Sequence, residues 1–149
     1  MGTQGCPITV LVVDDDLEDC MLVRDAMAES RLANDLRFAH DGDELLAYLR
    51  HEGQYADAGT APRPGLILLD LNMPRKDGRE ALQEIKADPQ LRRIPVVILT
   101  SSQAEEDICQ SYELGANAYV TRPVAFEALV SVLGDLGKYW IEIVQLQPD

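Results

Sequence analysis

The fold of this chain is constrained above all by a set of five short runs, most of them nearly continuously apolar, each followed by a segment with helical spacing. The runs cover 8–13, 36–39, 66–69, 96–99 and 118–121. A nearly continuous apolar run predicts a strand that is buried on both faces of its sheet. Strands that alternate with helices pair in parallel, because each helix returns the chain to the start of the next strand. We therefore expect an α/β fold with a doubly wound, five-stranded parallel sheet.

The helices of this fold are predicted from apolar spacing and from end signals. The spacing predicts helices over 17–30, 43–50, 79–87 and 104–114. Asp16 is a suitable N-cap for the first helix, Gly115 is a suitable C′ residue for the fourth, and Pro123 is expected to open the last. The connection 52–65 is much longer than the roughly 2–6 residues that usually join a helix to a strand.

The charge and composition exclude several classes of protein. The 149 residues include 26 acidic and 13 basic side chains, a net charge of −13, so we expect no nucleic acid partner. No apolar run approaches the roughly 20 residues that cross a bilayer, and the N-terminus lacks the basic region of a signal peptide. We therefore expect a cytoplasmic protein without membrane attachment. Three cysteines without CxxC spacing indicate no disulfide framework or zinc site, and we expect them to be small buried apolar residues.

Polar side chains with related chemistry follow four of the predicted strands. They are Asp14 and Asp15 after the first, Asp70 after the third, Thr100 after the fourth and Arg122 after the fifth. The carboxyl ends of parallel strands lie at one edge of the sheet, where such folds bind ligands. Clustered carboxylates suit Mg²⁺, while a hydroxyl and a guanidinium suit phosphoryl oxygens, so this edge predicts phosphoryl transfer to a carboxylate. Taken alone, the Asp14–Asp15 pair is equally typical of a solvated helix N-cap.

Four segments carry a resemblance to a known family: VLVVDDD, LILLDLNMPRKDGREAL, VVILTSS and GANAYVTRPV. Together they resemble the receiver domain of two-component response regulators, and the resemblance extends from about Ile8 to Leu136. It implies a flavodoxin-like receiver with strand order 2-1-3-4-5, an order for which a single-domain receiver is a standard example. We expect a receiver domain over 6–136 and a C-terminal extension over 137–149.

The resemblance implies a role for each residue at this edge. Asp70 would be the phosphoacceptor, and the donor would be a phosphohistidine on a partner histidine kinase. Mg²⁺ would be bound directly by Asp15, Asp70 and the backbone carbonyl of Asn72, with Asp14 acting largely through water. The chain would then promote its own phosphorylation and dephosphorylation without being an enzyme in the usual sense.

Phosphorylation would also operate a switch, according to the same resemblance. Thr100 would swing toward the phosphoryl group and Tyr119 would follow it inward, changing the surface of the fourth helix, fifth strand and fifth helix. The family nearly always has Lys where this chain has Arg122, which keeps the charge but is a rigid planar fork. We expect phosphorylation to survive with altered rates. The Arg122–Pro123 peptide bond is expected to be cis, as the matching bond of the family is, which would aim the side chain inward.

Apolar residues continue at helical spacing past the end of an ordinary receiver. Because an apolar face beyond the domain usually marks a partner surface, we expect a homodimer formed by the last helix and the tail. The residues expected in this interface are Phe126, Leu129, Val130, Leu133, Trp140 and Ile143. A tail folded back on its own domain is the alternative. With the long 52–65 connection, the WIEIVQLQP tail is similar to that of single-domain regulators paired with bacterial phytochrome kinases.

The main functional prediction is a single-domain response regulator, because the chain leaves no room for a DNA-binding output module. The alternative is a receiver-fold binding module that no longer undergoes phosphotransfer. The intact acids and Thr100 oppose that alternative, and Arg122 is the one residue in its favour. A phosphatase of the haloacid dehalogenase type would need a second acid two residues after its nucleophile, where this chain has Asn72.

Overall fold

Residues 9–30 and 35–137 are described by the computed structural model, and they form one parallel sheet with helices on both faces. The strands are β1 (Thr9–Val13), β2 (Asp35–Ala39), β3 (Leu66–Leu69), β4 (Val96–Thr100) and β5 (Ala118–Thr121). The helices are α1 (Leu17–Ser30), α2 (Gly42–Arg50), α3 (Gly78–Ala87), α4 (Glu105–Glu113) and α5 (Phe126–Gly137). The strand order is β2-β1-β3-β4-β5 and every pair is parallel, which confirms the predicted fold class and strand order.

The apolar runs are continuous because the central strands have a hydrophobic core on each face of the sheet. Val10 and Val12 of β1 belong to one core, which also contains side chains of α1 and α5. Leu11 and Val13 belong to the other core, beneath α2 and α3. Alternate residues of a strand point to opposite faces, so a strand covered on both sides needs apolar residues at every position. Each of these fully buried side chains contributes about 1.5–3 kcal/mol.

Local side-chain hydrogen bonds explain where the helices begin. The Asp16 carboxylate accepts from the backbone N–H of Glu18 at 2.9 Å, as predicted for an N-cap. Helix α5, however, begins at Phe126, and the expectation that Pro123 opens it is wrong. The backbone N–H of Leu129 donates to the Ala125 carbonyl at 3.0 Å, so residues 123–125 form the turn between β5 and the helix.

The long 52–65 connection packs against the domain. It contains two short 3₁₀ helices, Gly53–Tyr55 and Ala58–Thr60. The Tyr48 hydroxyl of α2 donates to the Pro62 carbonyl at 2.8 Å, and the rings of Tyr48 and Tyr55 lie 5.1 Å apart. These contacts tie the connection to α2, so its length does not separate it from the fold.

Helix α5 turns its strongest apolar residues toward the sheet. Leu129 and Leu133 are 3% and 0% exposed and lie in the core shared with α1, so the prediction that they form a dimer interface is wrong. Val130 is half-buried against the same core, while Phe126 is 37% exposed. The expected interface residues Trp140 and Ile143, like the rest of the predicted extension after Gly137, lie outside the described residues.

The two described cysteines differ in their exposure to solvent. Cys20 is buried as expected, but Cys109 is exposed on α4, because it lies on the side of that helix away from the sheet. Cys6 lies outside the described residues. Within the ranges that the structure describes, no helix is both long enough and apolar enough to cross a bilayer.

Candidate functional site

Three predicted site acids come together at the carboxyl edge of the sheet. Asp14, Asp15 and Asp70 each offer a carboxylate oxygen, and these oxygens all lie within 4.8 Å of one another. The register between β1 and β3 causes this, because Val13 pairs with Leu69 and the acids follow directly. The backbone N–H of Asp70 also donates to the Val13 carbonyl at 3.0 Å. The convergence that was predicted from parallel strands is therefore present.

Asp14 is the buried member of this acidic cluster. Burial is the largest cause that raises its pKa to about 6, and the charges of Asp70 and Asp19 raise it further. The backbone N–H of Asp16, which donates to Asp14 Oδ1 at 3.0 Å, and the positive charge of Arg122 act in the opposite direction. The ionised form of Asp14 is thus held at an energetic cost that a bound cation would relieve.

Asp70 is half-buried, and burial is also the main cause that raises its pKa. Thr100, Arg122 and the backbone N–H groups of Leu71 and Asn72 lower it. The Leu71 N–H donates to Asp70 Oδ1 at 2.9 Å. These groups leave Asp70 as an oxygen nucleophile surrounded by donors. Three carboxylates are hard oxygen ligands, so the donor set fits a divalent cation such as Mg²⁺.

Thr100 lies at the end of β4 with an unusual side-chain environment. The residue is fully buried, and its Oγ1 has no hydrogen-bond partner among the described residues. It still lies near enough to Asp70 to lower the pKa of that carboxyl. A buried hydroxyl without a partner costs free energy, so this residue fits a site where a further oxygen atom arrives during function.

Arg122 follows β5 and reaches two acids from other elements. Its Nη1 donates to Asp14 Oδ2 at 2.9 Å, and its Nη2 lies 3.0 Å from Asp19 Oδ2. No peptide bond of the described residues is cis, so the predicted cis Arg122–Pro123 bond is wrong. The trans form of such a bond is the more stable by about 0.5–1 kcal/mol. The two ion pairs already hold the side chain inward without the cis form.

The loop between β3 and α3 contains the most specific motif of the sequence. The backbone N–H of Gly78 donates to the Leu71 carbonyl at 2.9 Å and closes this loop. A Cβ on Gly78 would lie 2.2 Å from the Asp70 carbonyl oxygen, so only glycine fits there. Asp77 forms a capping box with Glu80 at the start of α3. Glycine and aspartate therefore hold the backbone of Asp70 against the start of the helix.

Tyr119 connects the site to α4. Its hydroxyl donates to the Ser102 carbonyl at 3.0 Å, and the ring is half-buried. The Ser102 hydroxyl donates to Asp107 at 2.7 Å, and Asp107 forms an ion pair with Arg79 at 2.6 Å. A movement of the segment after Thr100 would therefore act on the starts of both α3 and α4.

Two acids of this region were not predicted as site residues from the sequence. Asp19 binds Arg122, and Asp107 joins Arg79 to Ser102. Asp19 lies in the first turn of α1, three residues after the end of the acidic run 14–16, and this closeness is the one signal that could have suggested it. Asp107 lies in the first turn of α4 in the same way. Their arginine partners, Arg122 and Arg79, come from distant elements and leave no local signal.

Comparison with known proteins agrees with this architecture. The sequence matches the response regulator receiver domain family over residues 10–134. Response regulator Rcp1 of Synechocystis sp. (strain ATCC 27184 / PCC 6803 / Kazusa) is 42% identical over 140 residues, which cover 94% of this chain and 93% of that protein.

Solved structures give the same result. A phosphorylated cyanobacterial phytochrome response regulator, RcpA, superposes with a TM-score of 0.88 at 42% identity, covering 96% of this chain and 100% of that one. The Mn²⁺-bound form of Rcp1 superposes with a TM-score of 0.85 at 42% identity, covering 95% and 100%. With its parallel sheet, its acidic cluster and these similarities, the chain belongs to the response regulator receiver domain family.

Proposed function

We propose that this response regulator accepts a phosphoryl group on Asp70 from a phosphohistidine of a partner histidine kinase. The observation that carries the proposal is the convergence of three carboxylates, beside which Thr100 offers a buried hydroxyl without a partner among the described residues. An Asp70 carboxylate oxygen would attack phosphorus, forming a P–O bond while the P–N bond breaks. The electron pair of that bond would leave with the imidazole nitrogen.

The residues around Asp70 support this chemistry. Mg²⁺, when bound, would neutralise charge on the transferring group. Asp14, Asp15, Asp70 and the backbone carbonyl of Asn72 are proposed to hold it, and the hard oxygen donors of the acidic cluster support that choice. The Arg122 guanidinium and the Thr100 hydroxyl would bind the equatorial oxygens. In this way the chain would promote its own phosphorylation, and water attack at the same site would reverse it.

Phosphorylation would then change the surface formed by α4, β5 and α5. Thr100 would turn its hydroxyl toward the phosphoryl oxygens. Tyr119, whose hydroxyl binds the Ser102 carbonyl in the structure, would lose that bond and move inward. A new local charge would thus bias a two-state element, as in other phosphorylation switches.

We propose that this chain acts in the cytoplasm and that its partner is a histidine kinase of the bacterial phytochrome type. The similarity to RcpA, which is a cyanobacterial phytochrome response regulator, supports this choice.

We also propose a receiver domain over 6–136 and a homodimer formed with residues 137–149, with Phe126 and Val130 at the edge of the interface. Sedimentation velocity should then show a dimer; a monomer with and without phosphate would contradict it.

Intact mass measurement tests the phosphoacceptor. Wild type and Asp70→Asn are incubated with Mg²⁺ and either a phosphorylated histidine kinase or acetyl phosphate, with EDTA as a further control. The wild type should gain one phosphoryl group that requires both Asp70 and Mg²⁺. If the folded wild type binds Mg²⁺ but gains no phosphoryl group, the chain is a receiver-fold binding module, and Arg122→Lys is the first reversion to test.

A further inference from the structure

Arg122 holds two acids at once, and only one of them belongs to the acidic cluster. Its two terminal nitrogens lie 2.9 Å from Asp14 and 3.0 Å from Asp19. The side chains of Arg122, Asp14 and Asp19 are 16%, 5% and 23% exposed. This three-residue arrangement of acid, guanidinium and acid is therefore mostly shielded from water. Ion pairs in such shielded places are screened much less by salt than exposed pairs.

The arrangement depends on the shape of the arginine side chain. A guanidinium presents separate nitrogen atoms in a fixed plane, so it can bind one carboxylate with each. A lysine has three donors on a single terminal nitrogen at the end of a flexible stem, so two acids that it binds must approach the same atom, and their separate positions are not fixed. Asp14 follows β1 and Asp19 lies in the first turn of α1, so the fork spans two elements.

The two acids would respond differently when a cation binds. Asp14 is one of the three convergent carboxylates, and Asp19 is not. A divalent cation in the cluster would compete with the Arg122 guanidinium for Asp14. Its positive charge would also repel the guanidinium. Asp19 would keep its hold on the other nitrogen, because its carboxylate remains available.

We infer that Asp19 is a positioning residue: its carboxylate retains Arg122 at the mouth of the acidic cluster when the other nitrogen releases Asp14. The freed nitrogen then points to where phosphoryl oxygens arrive. This inference rests on the proposed phosphorylation of Asp70. It also accounts for arginine at a position where the resemblance predicts lysine, since Asp19 supplies the second acid that a fork can use.

Removing Asp19 should have different effects depending on whether it only stabilises the start of α1 or positions Arg122. An acid in the first turn of α1 stabilises the helix dipole whatever residue stands at 122. An acid that acts through the Arg122 fork loses its effect when the fork is replaced. The interaction between the two positions therefore separates the two roles.

A double-mutant cycle measures this interaction. Phosphorylation by acetyl phosphate at saturating Mg²⁺ is followed by intact mass in wild type, Asp19→Asn, Arg122→Lys and the double variant. Asp19→Asn should slow phosphorylation about 3- to 10-fold with Arg122 present, and less than about 2-fold with Lys. Asp19→Glu should recover most of the rate. Glu18→Gln, which removes a charge from the same turn at an exposed position, should leave the rate unchanged.

Equal effects of Asp19→Asn in both backgrounds, or no effect in either, would overturn the inference. A second readout is independent of phosphorylation: the ¹⁵N NMR signal of the Arg122 guanidinium with saturating Mg²⁺, identified by its loss in Arg122→Lys. The signal should be sharp and slowly exchanging in wild type and lost to exchange in Asp19→Asn. If the wild type gains no phosphate, the proposed function fails, and this signal alone decides whether Asp19 holds Arg122.

Discussion

Replacing Asp14 with asparagine should stabilise the protein when EDTA removes divalent cations. Burial raises the pKa of Asp14 to about 6 from an ordinary value of 3.8, and its side chain is only 5% exposed. At neutral pH the fold must therefore hold an ionised carboxylate in a place that favours the neutral form. Asparagine has nearly the same shape, and its amide oxygen can still accept from the Asp16 N–H.

The size of the effect follows from these two pKa values. At about 1.36 kcal/mol for each pH unit between them, the ionised carboxylate costs about 3 kcal/mol of stability above pH 6. Because the folded-state pKa is raised, this cost is absent below pH 3.8 and grows as the pH rises to about 6. The gain from Asp14→Asn should thus be about 3 kcal/mol at pH 7.5 and only about 1 kcal/mol at pH 4.5. At neutral pH it corresponds to a melting temperature higher by roughly 6 to 12 °C.

Thermal and urea unfolding in EDTA at both pH values measure this gain. Asp16→Asn is the matched control: it removes a charge from an exposed neighbour while keeping an N-cap oxygen, so its effect should stay within about 0.5 kcal/mol. Adding Mg²⁺ should stabilise the wild type more than Asp14→Asn, because the variant has lost one of the three carboxylates. If Asp14→Asn is no more stable than wild type at pH 7.5, or gains equally at both pH values, the account of Asp14 is refuted.

Three further predictions concern the same edge of the sheet. Mg²⁺ affinity measured by calorimetry should fall as the pH drops from 7.5 to 5.5, because protons compete for Asp14; a constant affinity would count against Asp14 as part of the cation site. Thr100→Val should leave the unfolding free energy unchanged or raise it by up to about 1 kcal/mol, since the hydroxyl has no described partner. The same variant should show a weaker NMR response to beryllofluoride. A clear loss of stability would disprove the prediction that the hydroxyl contributes nothing to folding. Gly78→Ala should cost about 1–3 kcal/mol in urea unfolding, because its Cβ would meet the Asp70 carbonyl oxygen, whereas Gly59→Ala on the exposed connection should cost little; similar values for both would contradict the close approach.

The position of the acidic cluster could be predicted from the sequence because it follows from local patterns. An apolar run such as Leu66–Leu69 predicts a buried strand, because each of its residues is more stable away from water. This preference is a property of the run itself. Once the strands are parallel, their carboxyl ends must lie at one edge, so Asp14, Asp15 and Asp70 share that edge. Their approach to within 4.8 Å also requires that β1 and β3 are neighbours, which depends on the strand order. The family resemblance added the strand order, which the fold confirms.

Only the tertiary structure decided which side chains bind one another. The partnership of Arg122 with Asp19, and the burial of Leu129 and Leu133 in the domain's own core, depend on how α1 and α5 pack against each other and the sheet. An apolar stripe on a helix has the same spacing whether it faces its own sheet or another molecule. Periodicity therefore determines that a face is buried, while contacts between residues distant in the chain determine what covers it.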